Sequence, residues 1–331
     1  QCTFQGGGVY SYVSNITMTD IEVMNNQSLG NEDAGGLGNG GGMMLIATGG
    51  AFTNLTISEN ISPSFGGGIW ASGESQISTF NSYPEWSIAN ATISGNTATY
   101  GGGIALSTWG DQDPSLSNVT ISDNSTDMSG GGVWTFYSNP VFTDCAITEN
   151  SSGNSSGGLL AWTGSWPILT NCVISENTAP GLGGGMLLDG DGATLTRVSI
   201  VDNHSESYVG GIAIDGIPAT LNNVTVSGNT CLGGFFGDGG AIGIDNFGHA
   251  DITNSIIWDN DGDEIWLYEG TANVTYSDVQ GDWDGEGNID DDPNFLNANN
   301  GDYTLQASSP CIDAGTADTD GDGQDDITDY I

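Results

Sequence analysis

Lysine is absent from this chain and Arg197 is its only permanent cation, against 42 aspartates and glutamates, for a formal net charge of −41. A surface that neutralises phosphates needs several Lys or Arg, so nucleic acid and anionic lipid headgroups are excluded as partners. Long apolar runs are missing as well. No stretch approaches the ~18 residues that span a bilayer, which argues against direct membrane insertion, and no cleavable leader is visible at the start. The sequence therefore reads as a mature product or a fragment. Five cysteines in 331 residues, an odd number, are too few for a disulfide scaffold. Charged residues of either sign make up only 13%, leaving a surface of Asn, Ser, Thr and Gly with scattered carboxylates. Such a surface suits a salt-rich or calcium-rich exterior, where cations screen or bridge it.

Glycine, by contrast, is abundant at 54 residues, and 37% of the chain is hydrophobic, enough to fill a core. Both are organised by a repeat. One signature is Gly-Gly followed by apolar residues, as in GGGIW at 66, GGGIA at 101, GGGVW at 130 and GGGMLL at 183. The other is a short alternating strand that ends in asparagine, as in NLTISEN, NVTISDN, NCVISEN and NVTVSGN. Its last residue forms the column Asn26, Asn60, Asn96, Asn124, Asn150, Asn177, Asn203, Asn229 and Asn260, spaced by about 26 residues in the central part. Three positions earlier the column is Val or Ile throughout, and the flanking positions are mostly Thr, Ser, Asp and Glu. The period is two and one face is buried. A strand of this kind cannot bury its face alone, so the repeats must stack as a coil of parallel strands, three short strands to a rung. Asparagines at one place on successive rungs form a ladder of side-chain amides, a structural role.

The paired GGGI and ISxN signatures resemble the right-handed parallel β-helix repeat proteins of bacterial surfaces, including the polymorphic outer-membrane type built on GGAI and FxxN. The run GEGNIDDDPNF, GDYTLQASSPCIDAG and DTDGDGQDD resembles the end of secreted bacterial β-helix proteins, ahead of a surface anchor. The resemblance implies an all-β, right-handed parallel β-helix and an extracellular or cell-surface location. It divides the chain into β-helix repeats at 1–260, C-terminal rungs and an end region at 261–317, and a dockerin-like calcium loop at 318–331.

In that last segment Asp318, Asp320, Asp322, Gln324 and Asp329 fall at the spacing of a calcium loop, with glycine letting the backbone fold around the ion. Calcium is the cofactor this predicts. An acidic column one residue before the ladder, from Glu59 to Asp259, is expected to splay into solvent. Cys145 and Cys172 lie 27 apart in one inward column, which fits either a disulfide between rungs or two stacked buried thiols. Twelve Asn-X-Ser/Thr sequons occur; loop positions such as Asn15 and Asn154 are the candidates for glycosylation. Arg197, six residues before a ladder asparagine, is expected to be an ion-pair residue.

No residue pair stands out as catalytic, and one arginine is a poor basis for an enzyme acting on acidic polysaccharides. The first reading is an extracellular structural protein, the subunit of a fibre or surface layer that self-associates end to end through an open N-terminal rung and is stabilised by cations. The second is an adhesin or glycan-binding β-helix that uses Trp70, Trp109, Trp134, Trp162 and Trp166 as stacking platforms. A polysaccharide-degrading enzyme is the third.

Overall fold

The computed structural model describes residues 7–30, 38–73, 86–108, 114–233 and 239–316, and within them the chain winds as a coil of parallel strands. One rung shows the plan. Val133–Phe136 pairs with Ile104–Ser107 on one side and Leu159–Trp162 on the other. Val141–Thr143 and Ala146–Thr148 then pair in the same way with the rungs before and after. The short Ser151–Ser152 completes the turn. All these pairings are parallel and in register, and the fold is a right-handed parallel β-helix. Two antiparallel strands, Phe295–Asn297 and Asp302–Leu305, stand apart from the coil.

Corners decide the rung's shape. Asp144 (φ 53°) separates the second and third strands and Glu149 (φ 58°) ends the third, each in the left-handed backbone region. The Asp144 corner recurs as Asn54, Asn90, Asn118, Asn171, Asn223 and Asn254, the residue type that tolerates this conformation best after glycine. The Gly-Gly signature makes the corner before the first strand. Gly101 has φ 63°, and a Cβ on Gly102 would stand 2.5 Å from the Gly131 carbonyl oxygen of the next rung. Only glycine allows that approach.

Inward residues fill the bore. In the rung above they are Val133, Phe142, Cys145 and Ile147, at most 2% exposed. The first strand is buried on its outer side too, where Met44, Trp70, Ala105, Trp134, Leu160, Leu187 and Ala213 form a second apolar layer under Phe65, Tyr100, Leu182 and Tyr208. This accounts for the unbroken apolar runs after each Gly-Gly, since a strand covered on both faces has no polar alternation.

The coil continues past residue 260 through Asp263–Tyr268 and Thr271–Thr275. Residues 283–289 then close its end. Trp283 packs on the core, the Asn288 amide donates to the Val274 carbonyl at 3.0 Å, and Ile289 N donates to the Ser277 carbonyl at 2.9 Å. From there the chain runs back along the coil, held where Tyr303 Oη donates to Asp202 Oδ1 at 2.7 Å and Asn254 Nδ2 to the Thr316 carbonyl at 2.8 Å.

Candidate functional site

The asparagine column is a continuous internal ladder. On each rung from Asn26 to Asn229 the backbone N–H and the side-chain Nδ2 both donate to Oδ1 of the next asparagine, at 2.9–3.1 Å. From Asn60 onward Nδ2 also reaches the carbonyl of the inward residue three places before the preceding asparagine, as from Asn150 to Ile121 at 2.9 Å. Asn60 to Asn229 are wholly buried. Each closes the polar groups of a sharp corner, which is a structural task.

A second ladder runs outside along the other corner column. Asn54 Nδ2 donates to Asp20 Oδ1 at 2.9 Å, Asn118 Nδ2 to Asn90 Oδ1 at 2.8 Å and Asn171 Nδ2 to Asp144 Oδ1 at 3.1 Å. Arg197 extends this column. Its Nε donates to Asn171 Oδ1 at 2.6 Å, so an amide holds it, where the sequence suggested a carboxylate. Arg197 also lines a groove of about 660 Å³ between the returning segment at Leu305–Thr316 and the outer side of Ser199, Thr225 and Ile256. The acidic column at Glu59, Asp123, Glu149, Glu176, Asp202 and Asp259 faces solvent.

Cys145 and Cys172 are free, buried thiols. Cys145 Sγ donates to the Leu116 and Thr143 carbonyls at 3.4 and 3.3 Å, and Cys172 Sγ to that of Thr170 at 3.3 Å. The neighbouring Cys145 sulfur, and then burial, raise the Cys172 thiol above its usual range. Asn15 and Asn154 are exposed, as are the sequon asparagines Asn54, Asn90, Asn118, Asn223 and Asn273, whereas Asn60, Asn124, Asn150 and Asn203 are consumed by the internal ladder. The calcium-loop residues Asp318, Asp320, Asp322, Gln324 and Asp329 lie outside the described residues, and so does Trp109.

What sequence reading missed is a row on the outer side of the first strand, at its last position. Phe136 pairs with Trp162, Trp162 with Asp189, and Asp215 with Asp245; the pairs Leu188 with Ile214 and Ile244 with Leu267, one position earlier, place Asp215 after Asp189 and Tyr268 after Asp245 in the same row. Two rings, three carboxylates and a third ring thus stand on successive rungs, each step about 4.8 Å. Trp162 is 41% and Tyr268 50% exposed. Phe136 and Trp162 have their ring centroids 5.8 Å apart, and at the other end Trp266 and Tyr268 stack at 5.8 Å with 4° between planes. Asp245 accepts from Tyr208 Oη at 2.8 Å, and Asp215 accepts from Asn246 Nδ2 at 2.6 Å. Asp189 is half-buried. That burial and then the charge of Asp215 raise its carboxyl to about 6, against the opposing hydrogen bond from the Trp162 indole. The row therefore supplies exposed ring faces at both ends, hydrogen-bond acceptors between them, and one carboxyl that keeps its proton in mildly acidic solution.

Of the tryptophans named as platforms, Trp70 and Trp134 are 8% and 4% exposed and belong to the covered layer, while Trp162 and Trp166 remain open. The indole Nε1 of Trp134 is buried with no hydrogen-bond partner.

Among known families, the one described as Right handed beta helix region matches residues 80–182 and 151–280, together more than half of the chain. The Chlamydia polymorphic membrane protein repeat matches residues 54–72, the stretch that holds one asparagine strand and the Gly-Gly strand after it. No curated protein and no solved structure matches. The two family matches are those of a surface or outer-membrane-type protein. No helix among the described residues is long and apolar enough to cross a membrane.

Proposed function

We propose, from the premise that the chain belongs to the family of right-handed β-helix proteins, that it works at the cell surface by holding an extended polysaccharide along the row from Phe136 to Tyr268. One observation supports this above others: exposed aromatic faces bracket hydrogen-bonding carboxylates in a single line along the coil axis. Pyranose rings present an apolar C–H face to a Trp or Tyr ring and hydroxyls to carboxylates, and a rung is about as long as one sugar residue. A row of five positions from Trp162 to Tyr268 spans about 19 Å, which suits a segment of polymer better than a single sugar. Affinity electrophoresis of the whole chain through gels loaded with different polysaccharides tests the reading. Trp162→Ala and Tyr268→Ala should each abolish most of the retardation by a binding polymer. Retardation unchanged in both variants would overturn it.

The fibre reading rests on a different feature. Among the described residues, strand Val9–Met24, 16 residues long, pairs with Met43–Ser58, and a strand edge of this length is a surface on which a further strand can add. Assembly end to end would join this edge to another coil and would have to displace residues 283–289 at the opposite end. Cation support is proposed on Asp318 to Asp329 from sequence alone. Negative-stain microscopy with calcium and after chelation tests both, since filaments that loosen on chelation are the expected result.

A further inference from the structure

Resting on the polysaccharide reading, the charge of the row points to its ligand. Asp189, Asp215 and Asp245 occupy three successive rungs, and among the described residues the one ion pair within 4.0 Å joins His249 to Asp251 and includes none of the three. The chain has no lysine, and its single arginine is held in the outer asparagine ladder. Three stacked carboxylates thus face outward with no protein cation to neutralise them. Their neighbours are hydrogen-bond donors without charge, Tyr208, Asn246 and the Trp162 indole. Like charges at strand spacing repel, so the free protein keeps an unfavourable arrangement that a bound cation relieves.

The aromatic ends say what form the cation takes. A simple metal ion would gain nothing from Trp162 or Tyr268. A chain of pyranose rings gains stacking from both, and ammonium groups along the same chain also gain attraction from the ring faces. We propose that the row takes an aminoglycan with free ammonium groups, of the glucosamine-polymer class, one sugar to a rung, with ammonium groups against Asp189, Asp215 and Asp245 and terminal rings on Trp162 and Tyr268. Uronate polymers are refused by the same carboxylates.

The test is a titration calorimetry series on the full chain with three probes: a glucosamine oligomer, the matching N-acetylated oligomer, and a galacturonate oligomer. Because a net charge of −41 attracts any polycation, the reference variant is Asp123→Asn/Glu149→Gln/Glu176→Gln. It removes the same charge from an exposed carboxylate column elsewhere on the coil. The expected result is binding of the glucosamine oligomer about tenfold or more tighter than of the acetylated one. That preference should vanish in Asp189→Asn/Asp215→Asn/Asp245→Asn and persist in the reference variant, with no binding of the galacturonate. Equal loss in the two triple variants means non-specific attraction and overturns the proposal. Equal binding of acetylated and free-amine oligomers, sensitive to Trp162→Ala, also overturns it but leaves the polysaccharide reading standing. No binding of any oligomer, together with no retardation in the polysaccharide gels, removes both.

Discussion

Asn260 ends the internal ladder on Glu264: its Nδ2 donates to Oε2 at 2.6 Å and its backbone N to Oε1 at 3.3 Å. Every earlier asparagine gives these two hydrogen bonds to the next asparagine, so the carboxylate of Glu264 takes the place of the missing tenth rung. A ladder with a direction needs an acceptor at its donor end, and leaving the two partly buried donors of Asn260 unpaired would cost at most about 1–3 kcal/mol each.

That substitution makes stability depend on pH. Burial is the main cause that raises the Glu264 carboxyl to about 7, partly offset by the hydrogen bonds from Asn260. Its folded value thus lies above the unfolded value near 4.3. Folding favours the protonated form, so this group's stabilisation is fully present below about pH 4 and is lost as pH rises towards and through 7. The range is at most about 4 kcal/mol. Urea midpoints measured between pH 4 and 8 should fall with pH. In Glu264→Gln, which keeps an acceptor for Asn260 and cannot ionise, that part of the slope should disappear.

The middle of the ladder should be more sensitive than any outer corner. Asn177→Ala removes the acceptor of two bonds from Asn150 and the donor of bonds to the Ile147 carbonyl and Asn203, all at 2.9–3.0 Å and all buried. The expected loss is roughly 3–5 kcal/mol. Asn118→Ala, exposed on the outer ladder, loses one surface bond and gains left-handed strain, for about 1–2 kcal/mol. Chemical denaturation of the two variants side by side measures the difference.

The contrast explains what could be read from the sequence. The internal ladder was legible because one residue type recurs at one spacing, and the bore was legible because Val and Ile recur three places earlier. The Phe136 to Tyr268 row was not, because its members change chemistry from rung to rung and are united only by register. Its sequence trace is position four of the strand after each Gly-Gly, visible once the strands are aligned. Trp134 and Trp162 looked equivalent because both follow a Gly-Gly pair. They stand at the second and fourth strand positions, and the apolar layer covers only the second. Arg197 was assigned to a carboxylate on composition, whereas its corner column supplies an asparagine amide at hydrogen-bond distance.

The two inward cysteines should behave as core residues. With Cys145 and Cys172 free and 2% exposed, thiol reagents should modify neither in the native protein and both after unfolding. Their column holds Val119 and Val198 on the adjacent rungs, so Cys145→Val/Cys172→Val should change stability by less than about 1.5 kcal/mol. Mass spectrometry after alkylation in denaturant, without reductant, reads the outcome directly, and a missing pair of alkyl groups would mean that a bridge joins the rungs.

A last prediction separates the row's charge from its shape. Asp189 has its carboxyl raised to about 6, by burial first and by the Asp215 charge second, and it touches the Trp162 indole. Above about pH 6 the Asp189 carboxyl bears charge, and below it that carboxyl is neutral. A ligand drawn by charge, tested as an N-trimethylated glucosamine oligomer so that its own charge does not change with pH, should therefore bind more weakly as pH falls from 7 to 5, and the weakening should be smaller in Asp189→Asn, which is neutral throughout. A ligand held by stacking and hydroxyl hydrogen bonds alone should bind Asp189→Asn and the unaltered chain with the same flat pH profile. Calorimetric titrations at pH 5, 6 and 7 distinguish the two, because the indole contact and the ring faces of Trp162 and Tyr268 do not titrate in that range.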